Sequence, residues 1–467
     1  MSKEITRREF IRNGLGAAAA IGAVSSLQGI PAMAAKPHRK PNIIFVFADQ
    51  MRYEELGCGG NSIIRTPNMD KLASQGVHFT NAISGFPVCS PYRAMLLTGR
   101  YGQSNGVVSN GVLLPKTENT IAEELKRYGY TTGYVGKWHL DGPIQIRVPK
   151  WRRQGFDYWV SENCRHDYFD CPTWFSDGEK EGVLPGYQPV AQTDLAIRYI
   201  KEHKDNPFCL FLSWGPPHVP NVAPDEYINM YKPADIKQSP NVEGDYRGII
   251  AKCYGQVTSI DDQVGRLMKT LDDAGIAEDT ILVFSSDHGD MLMSHGQLQK
   301  QRPWEEAIHI PFILRYPRRV KPGRKTDVLL NSVDVMPTLL SLAGSPAPSN
   351  VEGTDLSAFA LGKKGKEPKS VLLQDILPCG QAVQTGIAEW RGVRTKRYTY
   401  ARWRDKGWVL YDNKENPHQL NNLIDKPEAK KLQDEMEAEL QSWLKKTKDD
   451  FATAEVWKER VLNSHRA

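Results

Sequence analysis

Four apolar segments, each ending in polar and chemically reactive side chains, constrain the fold of this chain more than any other feature. They are PNIIFVFADQ (41–50), TTGYVGKWHL (131–140), PFCLFLSWGPPH (207–218) and DTILVFSSDHGD (279–290). A continuous apolar run of this kind predicts a strand that is buried on both faces of a parallel sheet. Ligands of such sheets bind at the carboxyl ends of the strands, so we expect these polar residues to converge at one edge.

Helical patterns separate the four runs. They cover 68–76, 119–129, 189–203 and 248–275. Strands that alternate with helices predict an α/β fold, with a mostly parallel sheet sandwiched by helices.

Beyond residue 365 the pattern changes. A polar linker, LGKKGKEPKS, leads into short β-rich segments, and an amphipathic helix pattern follows over 426–450. We therefore predict a main α/β domain over 35–365 and a smaller C-terminal α+β subdomain, an antiparallel sheet with one helix, over 366–467.

The first 34 residues predict an export signal. Arg7 and Arg8 stand side by side, an Ala/Gly-rich apolar stretch follows, and small residues precede a cleavage position after Ala34. A short membrane anchor is the alternative, but the apolar stretch is weakly hydrophobic and shorter than the roughly 20 residues that a spanning helix needs. The sequence therefore predicts twin-arginine export to the periplasm or the exterior, without stable membrane insertion.

Charge and cysteine content exclude several classes of function. The net charge is +5 and becomes +3 without residues 1–34, which is too weak to predict binding to nucleic acid or to a membrane surface. The seven cysteines form no C-x-x-C pair, which argues against a zinc ribbon. Cys164 and Cys171 are near enough in sequence to form a disulfide, but spacing alone does not establish one. The odd total leaves at least one thiol unpaired, and Cys89 is the candidate.

Two of the predicted strands end in residues that suit a hard cation. Asp49 and Gln50 follow one strand, and Asp287 and His288 follow another. Each pair alone also suits a strand-end cap or a turn. Together at one edge of the sheet, they favour a ligand set for calcium, with magnesium as the alternative.

Basic residues follow the same strands and a few loops. A single lysine or histidine usually lies at the surface or is satisfied in the core. Several cations beside a metal site suit a tetrahedral oxyanion, which carries charge on many oxygens. The candidates are Arg93, Lys137, His139, His218 and Lys300.

Cys89 stands in the segment CSPYRAMLLTG (89–99). It could be a small buried hydrophobe, or a thiolate nucleophile at a helix N-terminus. Neither interpretation accounts for Pro91 and Arg93 at fixed distances from it.

This segment resembles the sulfatase signature C-x-P-x-R-x-x-x-x-T-G. The segments PNIIFVFADQ, GYVGKWH, PPH, SSDHGDMLMSHG and RGVRTKRYTYAR resemble further blocks of that family in the same order, so the resemblance covers nearly all of 41–425. It implies a formylglycine-dependent type I sulfatase of the alkaline phosphatase superfamily. In that family a formylglycine-generating enzyme oxidises the cysteine, and the proline and arginine belong to its recognition signal.

The resemblance also implies a role for each matched residue. Residue 89, as a hydrated formylglycine, supplies the nucleophilic hydroxyl, and Arg93 holds it. The residues that hold the cation, calcium in most relatives, are Asp49, Gln50, Asp287 and His288.

The remaining basic residues match groups that handle the sulfate. Lys137 and Lys300 match the groups that bind its oxygens. His139 matches the base that takes a proton from the second hydroxyl of the formylglycine. His218 and Lys300 match the groups at the leaving oxygen, where a positioned acid accelerates the reaction by roughly 10²–10⁴-fold.

The chain departs from the commonest family pattern at two positions. Gln50 stands where many relatives have Asp, which lowers the ligand charge by one and predicts a weaker hold on the cation. Tyr92 stands where Ser is commonest, at a position that tolerates variation.

The segment 148–178 is rich in aromatic, arginine and histidine residues, which suit a sulfated sugar. A loop that packs on the subdomain is an equally good interpretation. Its candidates for substrate contacts are Arg165, His166 and Trp174.

The sequence therefore predicts an exported sulfatase that acts on a sulfated small molecule or glycan, and a carbohydrate sulfate is the expected substrate. The alternatives are a phosphonate or phosphate ester hydrolase of the same superfamily and a catalytically inactive, glycan-binding relative. A thiol hydrolase has no support from a motif such as G-x-S-x-G.

Overall fold

The computed structural model describes residues 39–142, 147–175 and 180–464. The predicted export signal over 1–34 lies outside these residues. The segment Lys40–Ala467 forms one compact unit. No helix in the described part of the chain is both long and apolar enough to cross a membrane.

A ten-stranded sheet forms the centre of the molecule, with the strand order β10-β2-β9-β8-β1-β7-β3-β4-β5-β6. Its strands are β1 Asn42–Asp49, β2 Val77–Ile83, β3 Thr131–Lys137, β4 Tyr158–Glu162, β5 Phe169–Phe175, β6 Lys180–Tyr187, β7 Phe208–Pro217, β8 Thr280–Ser286, β9 Phe312–Arg315 and β10 Arg324–Asn331.

The four strands predicted from the apolar runs lie next to one another at the centre of this sheet. β1 pairs in parallel with β7 on one side and with β8 on the other, and β7 pairs in parallel with β3. All eight residues of β1 are buried, as expected for a strand covered on both faces. The prediction of a mostly parallel sheet with converging strand ends is confirmed.

Antiparallel strands extend the sheet on both sides of this centre. β9 pairs antiparallel with β8 and with β2. On the other side β4 pairs in parallel with β3, and β5 pairs antiparallel with β4 and with β6. Part of the segment 148–178 therefore belongs to the sheet.

Helices cover both faces of the sheet. Ile43 and Phe45 of β1 belong to one apolar cluster, and Ile44 and Val46 belong to another on the opposite face. The helices are α1 Pro67–Ser74, α2 Cys89–Thr98, α3 Gly102–Asn105, α4 Ile121–Arg127, α5 Gln188–His203, α6 Asp225–Ile228, α7 Arg247–Asp273, α8 Glu305–Ile308, α9 Ser332–Leu342, α10 Ser357–Ala360, α11 Gln381–Gln384, α12 Lys430–Thr447 and α13 Ala454–Ser464. The four predicted helix patterns correspond to α1, α4, α5 and α7.

A second, four-stranded sheet follows residue 365. Its antiparallel strands are β11 Ser370–Asp375, β12 Trp390–Thr395, β13 Tyr398–Trp403 and β14 Gly407–Asp412. The predicted C-terminal helix is α12, and its Met436 and Leu440 share an apolar cluster with Leu372 and Val393 of the sheet. The sequence missed α13, which follows it.

Candidate active site

The ends of two adjacent parallel strands place the acidic residues of the site. Asp49 is the last residue of β1, and Asp287 follows β8 directly. The backbone N–H of Asp287 donates to the carbonyl of Ala48 at 3.2 Å, and the N–H of His218 donates to the carbonyl of Asp49 at 3.0 Å. The paired strands thus bring side chains from distant parts of the sequence to one edge, as predicted.

Asp49, Asp287, His288 and Cys89 form one buried group that could hold a metal ion. One ligand atom from each residue lies within 4.8 Å of the ligand atoms of the others. The Nδ1 atom of His288 lies 2.9 Å from the carbonyl of Gly289, so this nitrogen carries the proton and Nε2 faces the group. The Oε1 atom of Gln50 lies beside the group, where it accepts a hydrogen bond from Lys300 at 2.9 Å.

Cys89 is the first residue of α2, and its Sγ lies among the predicted site residues. Its Sγ lies 3.1 Å from Nζ of Lys300, 3.3 Å from Nε2 of His288 and 3.9 Å from Nζ of Lys137. It lies 3.8 Å from the nearer carboxylate oxygen of Asp49. Residue 89 therefore occupies the point where the basic and acidic residues meet.

The charges around Cys89 control its protonation. Burial raises the pKa of its thiol, and so does the Asp49 carboxylate, but Lys137, Lys300 and His288 outweigh them and hold the pKa well below its ordinary value. The same balance acts on Asp49. Burial opposes its charged form, yet the nearby cations, Lys137 first among them, keep its pKa well below the usual range.

Arg93 lies one helical turn after Cys89 and joins the strand ends. Its guanidinium contacts Asp287 at 2.9 Å and donates to the carbonyl of Lys137 at 2.7 Å and to Oγ of Ser213 at 2.8 Å. Burial disfavours the charged guanidinium, but the carboxylate of Asp287 raises its pKa. Arg93 therefore stays charged and holds the ends of these strands together beside the site.

The two lysines keep their protons. Burial opposes the charged form of Lys137, but Asp49, with which it forms an ion pair, raises its pKa. Burial also opposes the charged form of Lys300, and Cys89 and Asp49 raise its pKa. Two buried ammonium groups thus flank residue 89.

Three histidines lie near the lysines, and all three are neutral. Burial lowers the pKa of His139 and of His218 well below the ordinary value. Burial also lowers the pKa of His166 to about 3, and the charge of Lys137 is the next cause of that shift. Nδ1 of His218 donates to the carbonyl of Val219 at 2.7 Å, so its Nε2 carries the lone pair. Nδ1 of His139 is buried and has no hydrogen-bond partner within the described ranges.

Two glycines and two strained residues shape the backbone here. A Cβ at Gly136 would overlap the carbonyl of Ser213, and one at Gly289 would overlap the carbonyl of Glu306, so only glycine allows these close approaches. Gln50 has a φ of 74° and His139 a φ of 58°, in the left-handed region that non-glycine residues rarely adopt. Such strain persists where the surrounding structure imposes it, as at active sites.

The three residues predicted to contact substrate have different surroundings in the structure. The ring of His166 stacks on the ring of His218 with centroids 4.1 Å apart, and its Nε2 lies 3.3 Å from Nζ of Lys137. Arg165 instead forms an ion pair with Asp167. The side chain of Trp174 lies outside the described residues. A role in substrate binding stays a prediction for all three.

Sequence reasoning missed three residues that support the site. Tyr168 donates a hydrogen bond to the carbonyl of His218 at 2.7 Å. Asp290 contacts the amide of Gln50, and Gln301 lies beside Lys300 and binds the backbone of Cys379. Asp290 stands in the segment 279–290, whose position at a strand end could have indicated that Asp290 lies at this edge. No sequence signal indicated that Gln301 binds Cys379, which is 78 positions away.

All seven cysteines fall in the described part of the chain, and all are free thiols. The spacing of Cys164 and Cys171 allowed a disulfide, but the two residues are therefore not bonded to each other. Burial raises the pKa of the Cys164 thiol. The nearby ammonium of Lys137 opposes this shift.

Comparisons with known proteins agree with this arrangement. Residues 41–345, more than half of the chain, match the family model for sulfatases, and residues 294–446 match the model for the C-terminal part of N-sulphoglucosamine sulphohydrolase. An ulvan-active sulfatase of Formosa agariphila is 38% identical over 429 residues, which is 90% of this chain and 84% of that protein.

Solved structures share the fold over nearly their whole length. The candidate sulfatase yidJ of Bacteroides fragilis superposes with a TM-score of 0.82 at 33% identity, covering 90% of this chain and 98% of that one. A protein solved in complex with its substrate D-glucosamine-2-N,6-O-disulfate gives a TM-score of 0.80 at 25% identity, covering 88% of this chain and 99% of that one. The chain therefore belongs to the sulfatase family, the sulfuric ester hydrolases with an alkaline phosphatase-like fold.

Proposed function

We propose that this protein hydrolyses sulfate esters of carbohydrates through a formylglycine made from Cys89. The observation that carries the proposal is the convergence of two ammonium groups on residue 89. Nζ of Lys300 lies 3.1 Å from its Sγ, and Nζ of Lys137 lies 3.9 Å from it. An anion held between these lysines would lie against residue 89.

The donor set beside residue 89 fits a divalent cation. Asp49 and Asp287 offer carboxylates, Gln50 offers an amide oxygen and His288 offers Nε2. Oxygen donors dominate, which favours calcium over the transition metals, with magnesium as the alternative. When bound, such a cation supplies a positive charge that polarises a sulfate oxygen.

The two lysines and His139 have protonation states that suit their proposed tasks. Lys137 and Lys300 are protonated, so they bind the sulfate oxygens by charge-assisted hydrogen bonds. His139 is neutral and can accept a proton. Lys300 holds a proton beside Cys89, where the leaving oxygen would need one. His218 is neutral and its Nε2 carries a lone pair, so it could accept a proton but holds none to donate from that nitrogen.

Residue 89 contributes covalent chemistry in its modified form. A hydrated aldehyde carries two hydroxyl groups, one to act as the nucleophile and one to release the sulfate without attack by water on sulfur. The modification would lower the mass of the peptide containing residue 89 by about 18 Da relative to a free thiol, a product outside the ordinary oxidation ladder of cysteine. Mass spectrometry of that peptide, from protein made with and without a formylglycine-generating enzyme, tests the proposal.

Sulfate release from defined sulfated sugars tests the substrate class. The support comes from the relatives: one is active on ulvan, and another was solved with a disulfated glucosamine as its substrate. We expect release of inorganic sulfate from at least one sulfated mono- or oligosaccharide. Phosphate release from a matched aryl phosphate at a higher kcat/KM than sulfate release would favour the phosphonate and phosphate ester hydrolases instead. A protein with a modified residue 89 but no turnover of any ester would favour an inactive glycan-binding relative.

The proposal includes export through a twin-arginine pathway. It rests on Arg7, Arg8 and the cleavage position after Ala34. Because that pathway carries folded proteins, residue 89 would be modified in the cytoplasm before export. The double variant Arg7→Lys, Arg8→Lys should retain active enzyme in the cytoplasm, and undiminished activity in the periplasm would contradict the proposal.

A further inference from the structure

The side-chain amide of Gln50 has one defined orientation. Its Oε1 accepts a hydrogen bond from Nζ of Lys300 at 2.9 Å, and its Nε2 donates to Oδ2 of Asp290. If the amide were turned over, its oxygen would face the Asp290 carboxylate and its NH₂ group would face an ammonium that has no acceptor. Both contacts would become repulsive, so the two neighbours decide which end of the amide faces the cation ligands.

Asp290 is itself held in place by fixed donors. Its Oδ1 accepts hydrogen bonds from the backbone N–H groups of Leu292 at 2.9 Å and Gln299 at 3.0 Å. Its backbone carbonyl accepts from Nε of Arg52. The residue is only 5% exposed. Both carboxylate oxygens are therefore committed, one to Gln50 and one to the loop that leads to Lys300.

We propose that Asp290 is a positioning residue, which turns the oxygen of Gln50 toward the cation and ties that amide to the loop of Lys300. The inference rests on the proposed function, because it assumes that Gln50 offers this oxygen to a divalent cation. It also explains why position 50 carries an amide. A carboxylate at position 50 would face Asp290 in a buried site, where two like charges oppose ionisation.

The variant Asp290→Asn tests the inference. An asparagine has one acceptor oxygen for the three N–H groups that Asp290 accepts. The two backbone N–H groups hold that oxygen, so the new NH₂ group faces Gln50 and turns its amide over. We expect calcium affinity, measured by calorimetry on metal-free protein, to fall by roughly 10–100-fold, the usual effect of removing a partner of a metal ligand.

Asp261→Asn is the matched control. Asp261 also accepts backbone N–H groups, from Asn68 at 3.1 Å and Met69 at 2.7 Å, but it lies on α7. Its loss should lower stability and leave calcium affinity unchanged. Thermal unfolding of both variants separates a general loss of stability from a loss of the cation.

Variants of Gln50, alone and combined with Asp290→Asn, separate positioning from a simple loss of charge. Gln50→Glu alone should weaken calcium binding and lower the melting temperature, because its carboxylate faces Asp290. The double variant Gln50→Glu, Asp290→Asn keeps the total charge and restores one donor between the pair, so affinity should recover to within a few-fold of wild type. In a Gln50→Ala background, Asp290→Asn should cost much less affinity than it does in wild type, because the amide it orients is gone.

The possible results are distinguishable. If wild-type protein binds no calcium, the proposed cation site is wrong, and the inference falls with it. If wild type binds calcium and Asp290→Asn binds it equally well, the inference alone is wrong. An Asp290→Asn effect of the same size in wild type and in Gln50→Ala would show that Asp290 acts through its charge and not through Gln50.

Discussion

The side chain of Gln301 forms two hydrogen bonds with the backbone of Cys379. Its Nε2 donates to the Cys379 carbonyl at 2.9 Å, and its Oε1 accepts from the Cys379 N–H at 3.0 Å. Nε1 of Trp390 donates to the carbonyl of Gln301 at 3.2 Å. Cys379 and Trp390, which follow the main sheet and the linker, therefore fix the backbone next to Lys300. Nζ of Lys300 lies 3.1 Å from Sγ of Cys89.

Removing this attachment should impair catalysis more than folding. Gln301→Ala removes both bonds to Cys379 and lets the Lys300 ammonium move away from residue 89. Because a displacement of about 1 Å at a catalytic group can cost 10²-fold in rate, we expect kcat to fall by roughly 10–100-fold. The measurement is kcat per modified active site at a temperature where the variant is fully folded.

Gln384→Ala is the control for Gln301→Ala. Gln384 is an exposed residue of α11, a few residues from Cys379. It should leave kcat unchanged. Equal kcat values for Gln301→Ala and wild type would show that the C-terminal subdomain does not position Lys300.

Replacing the proposed proton donor should affect poor leaving groups most. Lys300→Met keeps the length of the side chain and removes its proton. A sugar alkoxide needs protonation as it leaves, whereas a nitrophenolate does not. Both substrates lose the contact between Lys300 and the sulfate, so we expect kcat to fall by a further factor of roughly 10²–10⁴ with a sugar sulfate compared with a nitrophenyl sulfate. Equal losses with both substrates would show that Lys300 acts in sulfate binding and not in proton transfer.

Removing divalent cations should inactivate the enzyme and lower its melting temperature. Two buried carboxylates, of Asp49 and Asp287, lie in one group whose ligand atoms are within 4.8 Å of one another. A ligand that binds only the folded state raises stability with its concentration, so added calcium should raise the melting temperature and restore sulfate release. Full activity of protein shown to contain no metal after chelation would remove the cation from this account.

A buried carboxyl in the second sheet should make stability depend on pH. Asp375 is fully buried, and neither of its oxygens has a hydrogen-bond partner in the part of the chain that the structure describes. Burial raises its pKa from 3.8 to about 8, although the charges of Arg391 and Arg302 oppose the shift. The folded state therefore keeps a proton that the unfolded state releases, and wild type should lose stability as the pH rises from about 4 to about 8.

Asp375→Asn removes this titration and is expected to flatten the dependence. Urea unfolding at pH 5.5 and pH 8.5 measures it, and wild type should lose more free energy of unfolding between these values than the variant does. Asp405→Asn, the same change at an exposed residue of that subdomain, should leave the dependence as in wild type. A variant with the same pH dependence as wild type would show that Asp375 is ionised in the folded state throughout this range.

The sequence predicted the centre of the fold and the members of the site for a physical reason. Strands buried on both faces are continuous apolar runs in the sequence, and parallel pairing brings their carboxyl ends to one edge of the sheet. Asp49, Asp287 and Lys137 could therefore be placed together from the sequence alone. The strands β4 to β6 were not predicted, because their segment mixes polar and aromatic residues without clear alternation. His166 could be suspected from composition, but only the structure brings it to Lys137.

Contacts between distant segments were beyond the sequence. The pair of Gln301 and Cys379 joins two loops, and neither hydrophobic period nor a motif marks a side-chain amide that binds backbone. Asp290 had a signal in its position after β8, but its partner Gln50 is 240 residues away. Geometry of this kind depends on tertiary packing, which local patterns do not encode.

The most direct test of the central claim is single-turnover sulfate release by Cys89→Ala at the same metal content as wild type. The variant replaces one small buried side chain by another, so it should fold normally. Lys137, Lys300 and Arg93 remain, so a sulfated ligand should still bind. Loss of the group that forms the covalent bond lowers the rate constant far more than it lowers affinity. The account predicts almost no release of sulfate from the bound substrate, whereas release at the wild-type rate would show that residue 89 is not the nucleophile.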